Sequence, residues 1–435
     1  METALIAMLA LMGMFILIGL HVPVGVAMAM TGIATYSTLV GWIPAMSLAS
    51  IEASMTFSSL EFAIVPLFLL MGSLAGASGL STDLYRIANA LLGHLRGGLS
   101  MATIASCALF GAVCGSSIAT VATMARIALP EMIGRGYQTS LAAGSIAAGG
   151  TLGVLIPPSV IMVVYAVLAE QFILSLFFAA LIPGLLAVML HCIAITIYMR
   201  IYPEAAPAAE PVTWTQRVGA VRNGWGVVVL GLVVSVGIYG GIFTVNEAAA
   251  VGAALAFSFA VGRRKLSRTV LKEVVRETAT NSGMIYLIII GASMLTYFLS
   301  ASHLPENLVE WIEHLDAPPL LVILGLYVMY IALGAVFDGF AAMVITLPFV
   351  LPVVTGLGYD PVWWGVIMVM VIEIGMITPP IGINVFVLHG MSKDIPLRTI
   401  FLGITPFLVA DLIRLTLITV FPGLALWLPT LLGFR

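Results

Sequence analysis

Apolar residues run along this chain in long blocks, where a water-facing helix or strand would alternate them with polar ones, and the blocks end at charges, prolines and glycines. A helix needs about 20 such residues to cross a bilayer. The blocks predict crossings at 3–20, 22–40, 52–79, 138–168, 172–199, 224–243, 246–262, 278–301, 361–392 and 400–421. The first run follows Glu2, where a secretory leader carries Lys or Arg, and no small-residue cleavage pattern comes after it, so 3–20 is expected to stay as a helix. Two further stretches, 99–131 and 318–356, carry polar, glycine-containing interruptions at Gly115-Ser116-Ser117 and Asp338-Gly339. Each reads either as two crossings joined by a tight turn or as a re-entrant helical hairpin that enters and leaves on one side. The polar centres favour the hairpin.

Positive charge orients this layout. With two hairpins, segments 80–98, 132–137, 200–222, 262–277 and 393–399 share one side and hold 14 of the 17 Lys and Arg, whereas 41–51, 169–171, 244–245, 302–317 and 356–361 hold none. The positive-inside rule makes the first side cytoplasmic and puts both termini outside. Composition agrees: 61% of residues are hydrophobic and 9% charged, while a water-facing surface takes roughly 25–35% charged side chains. A soluble enzyme is excluded. The net charge of -3 gives no footing for nucleic acid. Cys107, Cys114 and Cys192 lack CxxC spacing, and no P-loop is present to hydrolyse ATP.

The polar, Pro/Ala-rich stretch 203–211 divides the chain nearly in half, and the halves align. Gly111 to Ser117 matches Gly334 to Phe340, Gly136-Tyr137 matches Gly358-Tyr359, Pro157-Pro158 matches Pro379-Pro380, and Pro183 matches Pro406, at a constant offset of 222 or 223. Repeat 1 is 1–200, with hairpin 99–131 and broken crossing 138–168; repeat 2 is 224–421, with hairpin 318–356 and broken crossing 361–392. Between them 201–223 is a cytoplasmic linker, and 422–435 is an external tail. Five crossings per half is an odd number, so the second half is inverted. Basic 80–98 accordingly corresponds to 302–317 with Glu306, Glu310, Glu313 and Asp316. The expected fold is an all-α polytopic membrane protein of two inverted-topology repeats, each with five crossings, one broken at Pro-Pro, and one re-entrant helical hairpin. Secondary transporters are built this way, with their sites where the interrupted segments meet.

A Pro-Pro pair within a crossing removes two backbone donors and frees upstream carbonyls, which protein, water or an ion must satisfy. Pro157-Pro158-Ser159 and Thr378-Pro379-Pro380-Ile381-Gly382 place such carbonyls near hydroxyls, an oxygen set suited to a weakly held alkali cation; a simple Pro kink is the competing reading. At the hairpin tips Ser116, Ser117 and Thr120 in one half answer to Asp338 and Gly339 in the other. Asp338 either holds a cation or caps the following helix arm. Glu61 and Glu373 read as buried charges paired across helices or to backbone, Asp411 and Arg414 as a local i,i+3 pair, and the six histidines as interfacial or turn residues. Arg126 either snorkels to the cytoplasmic turn or holds an anionic substrate.

The motifs PVGVAMAMTG (23–32), IVPLFLLMGSLA (64–75), GSSIAT (115–120), LIPPSVIMVVYA (155–166), GGIFTVNEAAAVGA (240–253), GAVFDGF with LPFVLP (334–352) and EIGMITPPIGINVFV (373–387) carry a resemblance to a known family. The chain resembles the large membrane (permease) subunit of tripartite ATP-independent periplasmic (TRAP) transporters over nearly its whole length. It departs at Met124-Ala125-Arg126, where members more often carry small residues.

The resemblance implies a Na+-driven importer of a small organic anion, a carboxylate or sialic-acid-like sugar acid, in the bacterial inner membrane, with periplasmic termini. Its partners would be a small four-helix membrane subunit and a soluble periplasmic substrate-binding protein. It implies an elevator mechanism, hairpins and broken crossings moving against the remaining helices. Na+ would fall at Ser116, Ser117, Thr120, Gly334, Asp338, Gly339, Thr378, Pro379 and Gly382, and substrate at Ser116, Ser117, Arg126, Pro158, Ser159 and Asn384. The alternative is a stand-alone Na+/carboxylate symporter of the same layout, which carries Ser-Asn-Thr at both tips where this chain has SSI and DGF. An intramembrane enzyme is disfavoured, since no HExxH or GxSxG motif occurs.

Overall fold

A computed structural model of the chain describes residues 2–207, 212–314 and 317–434. Residues 208–211 of the linker, Asp316 of the acidic segment and Arg435 of the tail lie outside the described residues. Among the described residues all the regular structure is helical. The first half opens with α1 (Glu2–Gly19), α2 (Val24–Val40), α3 (Trp42–Ser58), α4 (Ile64–Ala77) and α5 (Leu80–Leu92). It continues with a hairpin, α6 (Gly98–Cys114) and α7 (Ser117–Gly134), a broken pair, α8 (Thr139–Leu155) and α9 (Val160–Leu168), and the long α10 (Ile173–Ile201). The second half opens with α11 (Trp214–Asn223), α12 (Trp225–Tyr239), α13 (Val245–Gly262), α14 (Arg268–Ala301) and α15 (Leu304–His314). Hairpin α16 (Pro319–Val336) and α17 (Gly339–Gly356), broken pair α18 (Pro361–Ile377) and α19 (Ile383–Met391), then α20 (Leu397–Val420) and α21 (Gly423–Leu431) complete it. Six single helices are long and apolar enough to cross a membrane among the described residues, and three bent pairs pass the same test together.

Several connections expected as loops are helices. The block 52–79 is not one crossing: α3 already begins at Trp42, after Gly41 at φ +91°, and the chain turns at 59–63 before α4. The Glu61 amide donates to Ser59 Oγ (3.2 Å) in that turn, and Glu61 is exposed there, not a buried charge. Between α4 and α5 the axis bends by 70° at Gly79, whose φ of +80° suits glycine. Helix α5 is amphipathic, burying Leu80, Leu84, Tyr85, Ile87 and Ala88. On its other side Asp83 accepts from the Arg263 guanidinium at the end of α13. In the basic linker α11 forms with a Thr213/Gln216 capping box and meets α12 at 66°. Helix α14 starts ten residues before the apolar block at 278, the acidic segment forms α15, and the tail forms α21.

Close packing rests on small residues. A side chain at Gly25 or Gly32 of α2 would collide with the α14 backbone, so these helices touch main chain to main chain. Gly111 of α6 lies against Gly153 of α8, and Gly334 of α16 lies in the same way against Gly375 of α18. Each hairpin is thereby locked onto its own half's broken pair. Gly144 of α8 and Gly403 of α20 make a third such crossing. The hairpins, broken pairs, α10 and α20 pack among themselves, while α2, α3, α4, α13 and α14 form a second group; the two meet where α4 and α5 lie on α6 and α14 on α17.

Candidate functional site

The two hairpin tips come from opposite halves of the sequence and share one cavity of about 40 Å³, to which Ser116, Ser117, Asp338, Gly339 and Glu373 all contribute. Local chemistry builds each tip. At the first, Gly115 takes a left-handed φ of +66°, ending α6, and Ser116 caps α7 by accepting from the Ala119 amide (3.3 Å). Thr120 Oγ donates to the Ser116 carbonyl (2.7 Å). At the second, Asp338 caps α17, its Oδ2 accepting from the Phe340 amide (3.1 Å). The capping role weighed for Asp338 is therefore present, and its carboxylate lines the cavity as well.

The breaks flank the tips. Pro157-Pro158 and Pro379-Pro380 are both cis, and α8 and α9 diverge by 41°. Ser159 is fully buried and its hydroxyl has no hydrogen-bond partner. Thr378 donates its hydroxyl to the Ile374 carbonyl, while the amide of Gly382, at φ +61°, donates to the Ala335 carbonyl beside Gly334 (3.2 Å). Pro379 is exposed, whereas Pro158 is buried. Asn384 at the start of α19 reaches across to the first half: its Nδ2 donates to Ser117 Oγ (2.7 Å) and to the Ala147 carbonyl (3.3 Å). That link joins two residues that sequence placed at the site separately. Arg126 stands apart from the tips, exposed on α7 and lining a larger cavity of about 1060 Å³ with Lys272 and Arg276 of α14 and Ser73 of α4.

A buried ionic cluster abuts the tip cavity. Arg414 of α20 lies 3.3 Å from Glu373 Oε2 and 3.1 Å from Asp411 Oδ1, and His191 of α10 lies 3.2 Å from the same Asp411 oxygen. All four side chains are almost wholly enclosed. His191 is thus a core residue, not an interfacial one. The Asp411–Arg414 pair follows from i,i+3 spacing, but Glu373 lies 41 residues from Arg414 in sequence, so no local pattern announces the link.

Residues 11–424 match the family model described as tripartite ATP-independent periplasmic transporter, DctM component. The chain is 35% identical to the C4-dicarboxylate TRAP transporter large permease protein DctM of Pseudomonas aeruginosa, covering 85% of this chain and 86% of that one. It is 31% identical to the protein of the same name from Rhodobacter capsulatus, over 94% and 96% of the two chains. Among solved structures it is similar in fold to the YdaH transporter of Alcanivorax borkumensis, with a TM-score of 0.55 at 16% identity over 85% of this chain and 87% of that one. Its helices and these relatives agree, and the chain belongs to the TRAP transporter family as the large, multi-pass membrane permease subunit.

Proposed function

We propose that this chain carries a small organic anion, of the C4-dicarboxylate class handled by its relatives, into the cell on a Na+ gradient. The observation that carries the reading is the meeting of the two polar hairpin tips in one cavity, beside two interrupted crossings. Hydroxyls and freed carbonyls at Ser116, Ser117, Thr120, Thr378, Pro379 and Gly382, with the Gly334 and Gly339 backbone and Asp338, supply weak oxygen ligands for Na+. Asn384 joins the first tip through Ser117, while Pro158 and Ser159 belong to the first break and lie outside the cavity lining. The halves serve as inverted repeats, a reading supported by the recurring glycine crossings Gly111–Gly153 and Gly334–Gly375. The hairpins and broken pairs move as one elevator body against the second helix group, since each hairpin is locked to its own break. With the basic segments cytoplasmic, both termini are periplasmic and the large cavity beside Arg126 is the inward vestibule. A small four-helix membrane subunit and a periplasmic binding protein complete the importer.

The test is uptake into liposomes holding this chain and its small membrane subunit, with the binding protein and labelled dicarboxylate outside. Uptake should require both an inward Na+ gradient and the binding protein. Transport that persists with choline in place of Na+ removes the drive, and transport without the binding protein makes the chain a stand-alone symporter. Within the vestibule Arg126→Ala should raise the dicarboxylate concentration for half-maximal uptake by roughly tenfold, the scale of one charged hydrogen bond. Arg126→Lys should recover only part of this, because lysine lacks the planar fork. Normal uptake by the Ala variant would leave Arg126 as a membrane-surface anchor.

A further inference from the structure

Helices α10 and α20 pack against each other, in register where His191 lies 3.2 Å from Asp411, and a groove of about 870 Å³ opens between them. The groove is graded along its length. Its walls are apolar and exposed, with Ile193 and Ile197 on α10 and Leu402, Val409 and Ile413 on α20. Its other end is polar, lined by Gln138, Ser140, Tyr198, Tyr202 and Thr399. The Tyr198 hydroxyl donates to Gln138 Oε1 (3.2 Å), and the Tyr198 and Tyr202 rings lie 4.9 Å apart, amphipathic side chains of the kind that sit at a membrane–water interface. Two arginines flank this end. Arg398 stands four residues before Leu402 and Arg200 seven after Ile193, so each shares a helical face with an apolar wall residue, one or two turns further out. Both are exposed, and neither has an ion pair among the described residues, whereas nearby Arg135 is held by Glu131 (2.8 Å). Lys393 adds a third cation here, against the acids Glu204 and Asp394, so the balance is positive.

We propose that this groove binds one anionic phospholipid of the cytoplasmic leaflet, its phosphate at Arg200 and Arg398 and an acyl chain along the walls between α10 and α20. Basic pockets between membrane helices on the cytoplasmic side take anionic headgroups. From Thr399 to Ile413 the groove rises about 21 Å, enough for an interfacial headgroup and the depth of one leaflet, half of a hydrocarbon core about 30 Å thick. Its volume is that of a site for one small molecule, roughly 300–1,000 Å³. Apolar walls alone would accept any lipid; the polar end and the two unpaired arginines select the headgroup. The groove also touches Leu190 and Ala410, the chain neighbours of His191 and Asp411, so a seated acyl chain seals that buried contact from the bilayer. The proposal rests on the cytoplasmic placement of this end, and on neither the Na+ drive nor the substrate.

The experiment is thermal unfolding of the purified chain in detergent with added phosphatidylglycerol or phosphatidylcholine of the same acyl chains, which reads the site whichever way the protein faces. Phosphatidylglycerol should stabilise the wild-type chain at concentrations at least about tenfold below those of phosphatidylcholine. Arg200→Gln combined with Arg398→Gln should need roughly thirtyfold more phosphatidylglycerol for the half-maximal shift, the scale for two basic side chains at an anionic surface. Arg264→Gln combined with Lys265→Gln, just after α13, should respond as the wild type does. Ala194→Phe, which fills the groove and keeps both arginines, should lose the preference, and Ala194→Leu takes its place if the Phe variant does not fold. Native mass spectrometry should find one phosphatidylglycerol retained per chain. Equal wild-type responses to the two lipids, or an Arg264/Lys265 variant as impaired as the Arg200/Arg398 one, would overturn the site and leave only general attraction of basic loops to anionic lipid. A dimer that Ala194→Phe dissociates would give the groove to a second copy of the chain instead.

Discussion

The two hairpin-and-break pairs follow one sequence plan and end in unlike surroundings. In the first pair the tip is neutral, Gly-Ser-Ser, and the break is sealed: Pro157, Pro158 and Ser159 are all buried. In the second the tip carries the charge of Asp338, and Pro379, Pro380 and Ile381 are exposed. Both first arms nonetheless cross their broken partners at paired glycines. The contrast separates what the plan holds constant, the locking of hairpin to break, from what it varies, charge and access.

The strongest way to break the comparison is at its constant part. Gly153→Val and Gly375→Val should each place a branched side chain against a facing backbone and cost about 1–3 kcal/mol or more, with loss of folded protein in size-exclusion and thermal-unfolding assays. Gly325→Ala, which meets open space on α16, should be neutral or slightly stabilising. Equal tolerance at all three positions would mean that the glycine crossings do not hold the hairpins. The variable part is tested at the tips. Asp338→Asn should cut Na+-dependent uptake by at least about tenfold at equal expression, whereas Ser116→Ala should lose chiefly a helix cap, of the order of 1 kcal/mol. If the serine variant is the more damaged, the assignment of charge to the second tip is reversed. The smallest effect is one of access: with native cysteines removed, Ile381→Cys should react readily with a water-soluble maleimide and Ser159→Cys should not. Similar labelling rates would erase the asymmetry between the breaks.

Much of this arrangement was legible in the sequence because it depends on short-range chemistry. Apolar blocks gave the long helices, and the polar interruptions Gly115-Ser116-Ser117 and Asp338-Gly339 marked the hairpin tips, where Ser116 and Asp338 prove to be caps; the Thr244–Glu247 capping box that starts α13 is a signal that hydropathy does not register. The shorter helices were hidden for an equally physical reason. Helices α5 and α15 carry polar and charged residues on one face and α11 is polar overall, so a hydropathy reading treats them as loops. The link of Asn384 to Ser117 and the chain of contacts from His191 to Glu373 were beyond reach, because each joins residues far apart in sequence whose meeting is decided by helix packing.

Helix α14 has a consequence for what happens after release. Its 34 residues span about 51 Å, against a hydrocarbon thickness of about 30 Å. The first ten residues, with Lys272 and Arg276 facing the large cavity, therefore reach about 15 Å beyond the apolar block. The negative potential of a cytoplasmic leaflet decays over a Debye length, about 8 Å in physiological salt. Glu273 and Glu277 line the same stretch, so its charge is mixed, and in the proposed orientation the proposed anion would leave past it at a point beyond most of the membrane's own repulsive field.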